Sequence, residues 1–401
     1  MSTPPRPHPF ACSRAAAFAR RAIAATWDKG LTEKPPLDPD HLWKVGARGF
    51  DEADERSIRA PEDVADFRER LESLCRSLRE EAALNPLGHA MAYGQITSAI
   101  RKRHALGRYW NRNPAAAAAE IAAPILVVGQ MRSGTTRVQR LLAADPRHAG
   151  TRFCDSHDPV PRSPDLRPLR ARAALALARR INPWLDTMHP FGAVRTDEEI
   201  GWLATSLSPA TFEAQWRIPS FLGDSLTRDH TPLYREFARI LRTDAQARGN
   251  ADRPRVLKCP QFTEDLSPLL AQFPDARIVL CTRAEDEVLS SSISMTASQM
   301  AFQTDTRDLA ALTRTWEGRI AMRETAMRQA LTHFDGPLAE VGFAALNANW
   351  RASIAQVYRS LGLVITPAAL DAMAREYSEM RRDAHGGHAA QIEQFASPAS
   401  A

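Results

Sequence analysis

The run Ile125-Leu126-Val127-Val128-Gly129-Gln130-Met131-Arg132-Ser133-Gly134-Thr135-Thr136 decides the fold of this chain. Four apolar residues in succession, entered through Pro124, read as a strand buried on both faces. A loop with two glycines follows. Val138, Leu141 and Leu142 then fall on one side of a helix that Asp145-Pro146 ends. Strand, glycine-bearing loop and helix, in that order, aim backbone N–H groups and a helix N-terminus at an anion. The grammar returns later: Val256-Leu257 reads as a short strand, residues 266–273 as a helix, 278–281 as a second buried strand, and a helix starts near Asp286. Alternation of this kind predicts a three-layer α/β fold with a central parallel sheet and a P-loop-like anion site over residues 121–401.

Working outward, residues 1–120 read as a mainly helical N-terminal region. Ala15 to Trp27 suits a short peripheral helix, and Val64, Phe67, Leu71 and Leu74 recur at helical steps after Pro61. Asn85-Pro86-Leu87-Gly88 is turn chemistry, with a further helix expected over 89–106. Between the two strand-bearing halves, residues 159–255 read as a helical insertion rich in aromatics. Its aromatic side chains suit either a substrate pocket wall or ordinary core.

The 401 residues are 44% hydrophobic and 25% charged, ordinary globular values that exclude disordered and fibrous classes. No uncharged apolar stretch reaches 18 residues, because Glu120 and Pro124 cut the longest tract, so no transmembrane segment is expected. Net charge is +5, with 52 basic residues dispersed among 47 acidic ones, which argues against a nucleic-acid partner and permits a small polyanionic ligand. Five cysteines, odd in number and never in a CxxC spacing, support neither disulfides nor zinc; no metal is expected, and a reduced, cytoplasmic setting follows.

The loop is not a nucleotide-hydrolysing one by its residues. Thr135 stands where the Walker A spacing requires Lys, and the cation is instead Arg132. A second anion element is Ile278-Val279-Leu280-Cys281-Thr282-Arg283 with Ser291 eight residues beyond the arginine, a guanidinium fork and a hydroxyl that can converge on one anion. Ser290 and Ser292 leave the serine open. Lys258, in Val256-Leu257-Lys258-Cys259-Pro260, is the single lysine after Lys102.

Taken together these segments resemble the bacterial sulfotransferases over nearly the whole chain. Arg132-Ser133-Gly134-Thr135-Thr136 resembles their 5′-phosphosulfate loop, Arg283 and Ser291 their 3′-phosphate segment, and Lys258 stands where a catalytic lysine would be. Asn85 to Gly88, Asp158-Pro159-Val160-Pro161 and His189-Pro190-Phe191 with Asp197-Glu198-Glu199 add to the likeness. The resemblance implies transfer of a sulfuryl group from 3′-phosphoadenylyl sulfate (PAPS) to a hydroxyl or amine of a small-molecule acceptor, without a metal. It also implies an acid before Asp158-Pro159 as a possible base; here that is Asp155, with His157 and His189 as runners-up. Phe262 fills the slot where relatives often carry a histidine, and Ala284-Glu285 replaces the usual Asp-Pro after the arginine. A P-loop-like kinase, or a homologue that binds the adenosine bisphosphate without turnover, stays open as an alternative. The stretch from Arg381 to His388 resembles a late segment that closes near the nucleotide, and suits a solvated tail equally.

Overall fold

The computed structural model describes residues 6–382. Five parallel strands form one sheet: β1 (Ile125–Val128), β2 (Ala149–Gly150), β3 (Arg255–Leu257), β4 (Arg277–Thr282) and β5 (Leu338–Gly342), in the order β2-β3-β1-β4-β5. The two strands expected to share a parallel sheet pair directly, Ile125 opposite Arg277 through Val128 opposite Leu280. Every residue of β1 is buried, as a central strand covered on both faces must be. Its alternate side chains enter different cores. Leu126 and Val128 pack with Trp110, Trp202, Tyr234 and Phe237; Ile125 and Val127 pack with Val138, Leu141, Trp350 and Ile354. The chain builds β2 and β3 on one side of β1, then β4 and β5 on the other. That reversal opens a crevice above the carboxyl ends of the strands, where ligands of open α/β sheets bind.

β2 and β5 escape the sequence reading. β2 has two residues, and β5 alternates exposed Leu338 and Glu340 with buried Ala339 and Val341, the pattern of a half-covered edge. The Arg14–Asp28 and Pro61–Glu80 helices stand where the periodicity puts them. The helix expected over 89–106 is longer, Pro86–Arg112, because Asn85 caps it: its side chain accepts from the Gly88 N–H at 3.0 Å. Nor is the N-terminal stretch wholly peripheral. Arg6 is fully buried and donates to the Ser294 carbonyl at 3.1 Å, and Phe10 joins the core beside Trp316. In the 159–255 stretch the aromatics divide. Trp202, Phe212, Trp216 and Phe221 are core, whereas Phe191 faces a cavity. Among the described residues no helix is long and apolar enough to cross a membrane.

The Asn85 cap also explains Gly88. The Asn85 N–H donates to the Gln303 carbonyl at 3.0 Å, and this brings the Gln303 backbone so close that a Cβ on Gly88 would meet its oxygen at 1.9 Å. In the same helix Gly94 has nothing within 4 Å of its ideal Cβ. Gly88→Ala should therefore destabilise by about 1–3 kcal/mol through overpacking, while Gly94→Ala, which gains helix propensity, should stabilise by up to ~1 kcal/mol. Thermal melts of the two variants check this; equal melting temperatures would remove the close-approach argument.

Candidate functional site

The loop after β1 is rigid for local reasons. Gly129 has φ +141° and Gly134 φ +87°; a Cβ at the first would lie 2.3 Å from the Cys281 carbonyl oxygen, at the second 2.7 Å from the Phe343 ring. Arg132 also takes a positive φ, +74°, a strained conformation for a residue with a side chain. Ser133 fixes the turn, its Oγ and N–H both donating to the Gln130 carbonyl at 2.6 and 3.1 Å. The Gln130 amide in turn donates to the Ile320 carbonyl, and Thr263 Oγ1 to that of Gly129. So held, the loop starts the Thr135–Ala143 helix with its first-turn N–H groups at the wall of a cavity of about 510 Å³.

Strand ends deliver other walls of this cavity: the cations Lys258 after β3 and Arg283 after β4, and the Phe343 ring after β5. Arg132 Nε donates to Ser291 Oγ at 2.9 Å and its Nη1 to the Met188 carbonyl at 2.7 Å. Arg283 Nη1 donates to the Arg132 carbonyl at 2.8 Å, its Nε to Glu287 at 2.5 Å, and its guanidinium stacks 4.1 Å from the Phe343 ring. Burial, and then the neighbouring Arg283 charge, pulls the Arg132 guanidinium down to about 10. The two anion elements read from sequence thus meet in one cationic corner, and of the three adjacent serines it is Ser291 that faces it; Ser290 Oγ is spent on the Asp286 carbonyl.

Opposite stand three consecutive acids with three fates. Burial alone would raise the Asp197 carboxyl, but the His189 ring, bonded through Nε2 at 2.9 Å, and the Arg140 guanidinium hold it well below the usual carboxylate range. Glu198 accepts from Lys258 Nζ. Glu199 is completely buried, and that burial pushes its carboxyl up to about 8, although its Oε2 accepts the Lys258 backbone N–H at 2.7 Å. His189, Asp197 and Glu198 offer ligand atoms within 4.8 Å of one another, a set able in principle to hold a cation; the Lys258 ammonium already sits on Glu198 there.

His157 and His189 both line the cavity. The His157 ring packs on Phe153, and burial with the nearby Lys102 charge pulls it down to about 4. Asp155 does not reach the cavity. Its side chain is fully buried, takes two bonds from Arg152 at 2.6 and 2.8 Å, and lies 3.3 Å from Arg167 Nη1. A carboxylate so bound cannot meet an acceptor, which corrects the expectation that it is the base. Phe262 is core, packed edge-on against Phe237. The stretch toward His388 lies beyond Arg382, outside the described residues. Sequence reasoning missed Glu198 and Phe343 as cavity walls. The acidic run was visible, but what brings it to the loop is the Gln139 bond to the Asp197 carbonyl at 3.1 Å and the Arg140 bonds to the Thr196 and Pro190 carbonyls at 3.0 and 2.9 Å.

Residues 124–367, more than half of the chain, match the model of the family described as "Sulfotransferase family". No curated protein sequence matches. Among solved structures, the chain is similar to the sulfotransferase STF1 of Mycobacterium tuberculosis H37Rv (TM-score 0.77, 24% identity, 91% of this chain and 100% of that one). It is also similar to the sulfotransferase STF9 of Mycobacterium avium (TM-score 0.74, 17% identity, 85% of this chain and 87% of that one). At these identities the structures speak for the fold. The family match, on the stretch that carries the loop, Lys258 and Arg283, shows that the chain belongs to the sulfotransferase family.

Proposed function

We propose that this protein transfers a sulfuryl group from PAPS to a hydroxyl or amine of a small acceptor. One observation carries the reading: a single cavity gathers the helix N-terminus at Thr135, the cations Arg132, Arg283 and Lys258, and the hydroxyl of Ser291. In the transfer, the bond from acceptor oxygen or nitrogen to sulfur forms as that from sulfur to the 5′-phosphate oxygen breaks. The acceptor proton passes to a base, and 3′-phosphoadenosine 5′-phosphate leaves. Arg132, Gly134, Thr135 and Thr136 would hold the phosphosulfate, with Ser133 fixing the turn that presents them, and Arg283 and Ser291 on the 3′-phosphate. Charge building on the leaving oxygen is met by Arg132 and Lys258. His189 is the base we assign: ionised Asp197 accepts its Nε2–H, which leaves Nδ1 to take the proton. His157, pulled to about 4, is too weak a base for this task. The free cysteines suit a cytoplasmic setting. A kinase reading would need a lysine where Thr135 stands.

The adenosine bisphosphate at a hundred times its dissociation constant should add ~2.7 kcal/mol of stability, and Mg-ATP little. Stabilisation by Mg-ATP alone would overturn the reading. Arg283→Ala should weaken binding of donors bearing the 3′-phosphate about ten- to a hundredfold, and leave donors without it unaffected. Equal impairment of both would take Arg283 off that phosphate. His189→Gln should lower kcat by ~10²–10⁴ while affinity for the bisphosphate holds; turnover near wild type would dismiss His189 as the base.

Glu198 is the carboxylate that pairs with the Lys258 ammonium, while burial favours the protonated form of Glu199. Its folded pKa of about 8 exceeds the ~4.3 of an unfolded chain. The fold therefore favours the protonated form, and its contribution, complete below the unfolded value, is lost as pH rises through the folded one. Glu199→Gln removes that dependence. Denaturant unfolding at pH 5 and pH 9 should show the variant gaining on wild type by on the order of 3–5 kcal/mol at the higher pH. A difference that stays constant with pH would mean Glu199 is ionised in the fold.

A further inference from the structure

The Arg167–Ile181 helix has five arginines, no acid, and two unlike faces. Its inner side buries Ala171 and Leu175, and Leu175 and Ala178 form part of the cavity wall. On its outer side Leu169 is 58% exposed and Leu177 63%, with Leu166, just before the helix, 48% exposed. At 100° per residue Leu166, Leu169, Ala173, Leu177 and Arg180 share one side, with Arg172 at its border. Arg170 and Arg179 are engaged by Asp158 at 3.1 Å and Asp186 at 2.6 Å. Arg172 and Arg180 are exposed, and among the described residues no carboxylate lies within ion-pair distance of either.

Leucines standing in water between unpaired guanidinium groups form the pattern of a helix lying in a lipid interface, where apolar side chains enter the acyl boundary and long cationic ones reach the headgroups. The charge selects among occupants. A second copy of this chain, docked face to face, would bring Arg172 and Arg180 against their own like charges. A nucleic acid would leave the leucines in water. An anionic lipid surface satisfies both. The neighbouring Arg14–Asp28 helix, joined to this one by the bond from Ser13 Oγ to the Ile181 carbonyl at 2.7 Å, exposes the same mixture in Arg14, Phe18 and Arg21.

We propose that the outer face of the Arg167–Ile181 helix seats the protein on an anionic lipid surface, so that its acceptor is an amphiphile drawn from that surface into the cavity behind the same helix. The acceptor half rests on the sulfotransferase reading; the docking half does not. The probe is co-sedimentation with vesicles of phosphatidylcholine alone or mixed with phosphatidylglycerol, at low and high salt. Binding should need the anionic lipid and fall with salt. One cationic side chain near such a surface is worth about fivefold in partitioning, so Arg172→Glu/Arg180→Glu should lose roughly 25-fold or more. Leu169→Ser/Leu177→Ser should lose binding at both salt concentrations. Thermal stabilisation by the adenosine bisphosphate, equal in wild type and both variants, shows that they fold and tests the donor site separately. Stabilisation by the bisphosphate without vesicle binding would overturn docking and leave the sulfotransferase reading standing. Vesicle binding without that stabilisation would uphold docking and remove the acceptor half. Equal partitioning to neutral vesicles, or a dimer in sedimentation velocity that the leucine variant abolishes, would overturn the anionic surface as occupant.

Discussion

The Arg132 and Arg283 guanidinium groups share one corner of the cavity, Arg283 bonded to the Arg132 carbonyl, and the strand ends are arranged around that fact. Like charges in a partly desolvated corner repel, and burial lowers the Arg132 pKa accordingly. They stay because neutral groups hold them: the Ser291 hydroxyl, the Met188 carbonyl, the Arg132 carbonyl itself and the face of Phe343. Glu287 meets Arg283 from the half-exposed rim, and the charge of Glu198, in the cavity wall, acts on Arg132 from the other side. The positive φ of Arg132 belongs to the same arrangement, since it turns that carbonyl toward Arg283. Preorganised charge of this kind is the currency of group transfer between phosphate-like oxyanions.

What was legible in the chain was whatever depends on neighbours in sequence. Ile125 to Val128 announce a central strand because four buried positions in a row suit no other element of that length. Arg132 and Ser291 each follow their strand at a readable distance. The illegible parts depend on distant groups. β5 is an edge whose exposed Leu338 and Glu340 break the apolar run. Asp155 looked like a base by position, and only Arg152 and Arg167 reveal it as a structural anion. The loop bearing His189 to Glu199 has no periodicity of its own; Gln139 and Arg140, on the helix after the phosphate-type loop, hold it through backbone carbonyls.

Asp197, Glu198 and Glu199 show how little a run of identical charge says about its electrostatics. One is held ionised by a histidine and an arginine, one meets an ammonium, and one is driven neutral by burial. Each lies within reach of Lys258 or His189, so the charge state of this side of the cavity is set by packing rather than by composition.

The bond from the Asn85 amide to the Phe302 carbonyl joins residues 217 apart in sequence. During synthesis at ~5–20 residues per second, the N-terminal helices wait roughly 10–40 s for that partner to be made. The apolar faces that later meet Phe212, Trp216 and Phe221 stay uncovered for much of that interval. The helix bearing Ser291 ends at Met300, two residues short of this contact. The anion corner, whose Arg283 stacks on Phe343, cannot close until still later residues have been made, and the apolar helix faces stand uncovered on the nascent chain until their partners emerge.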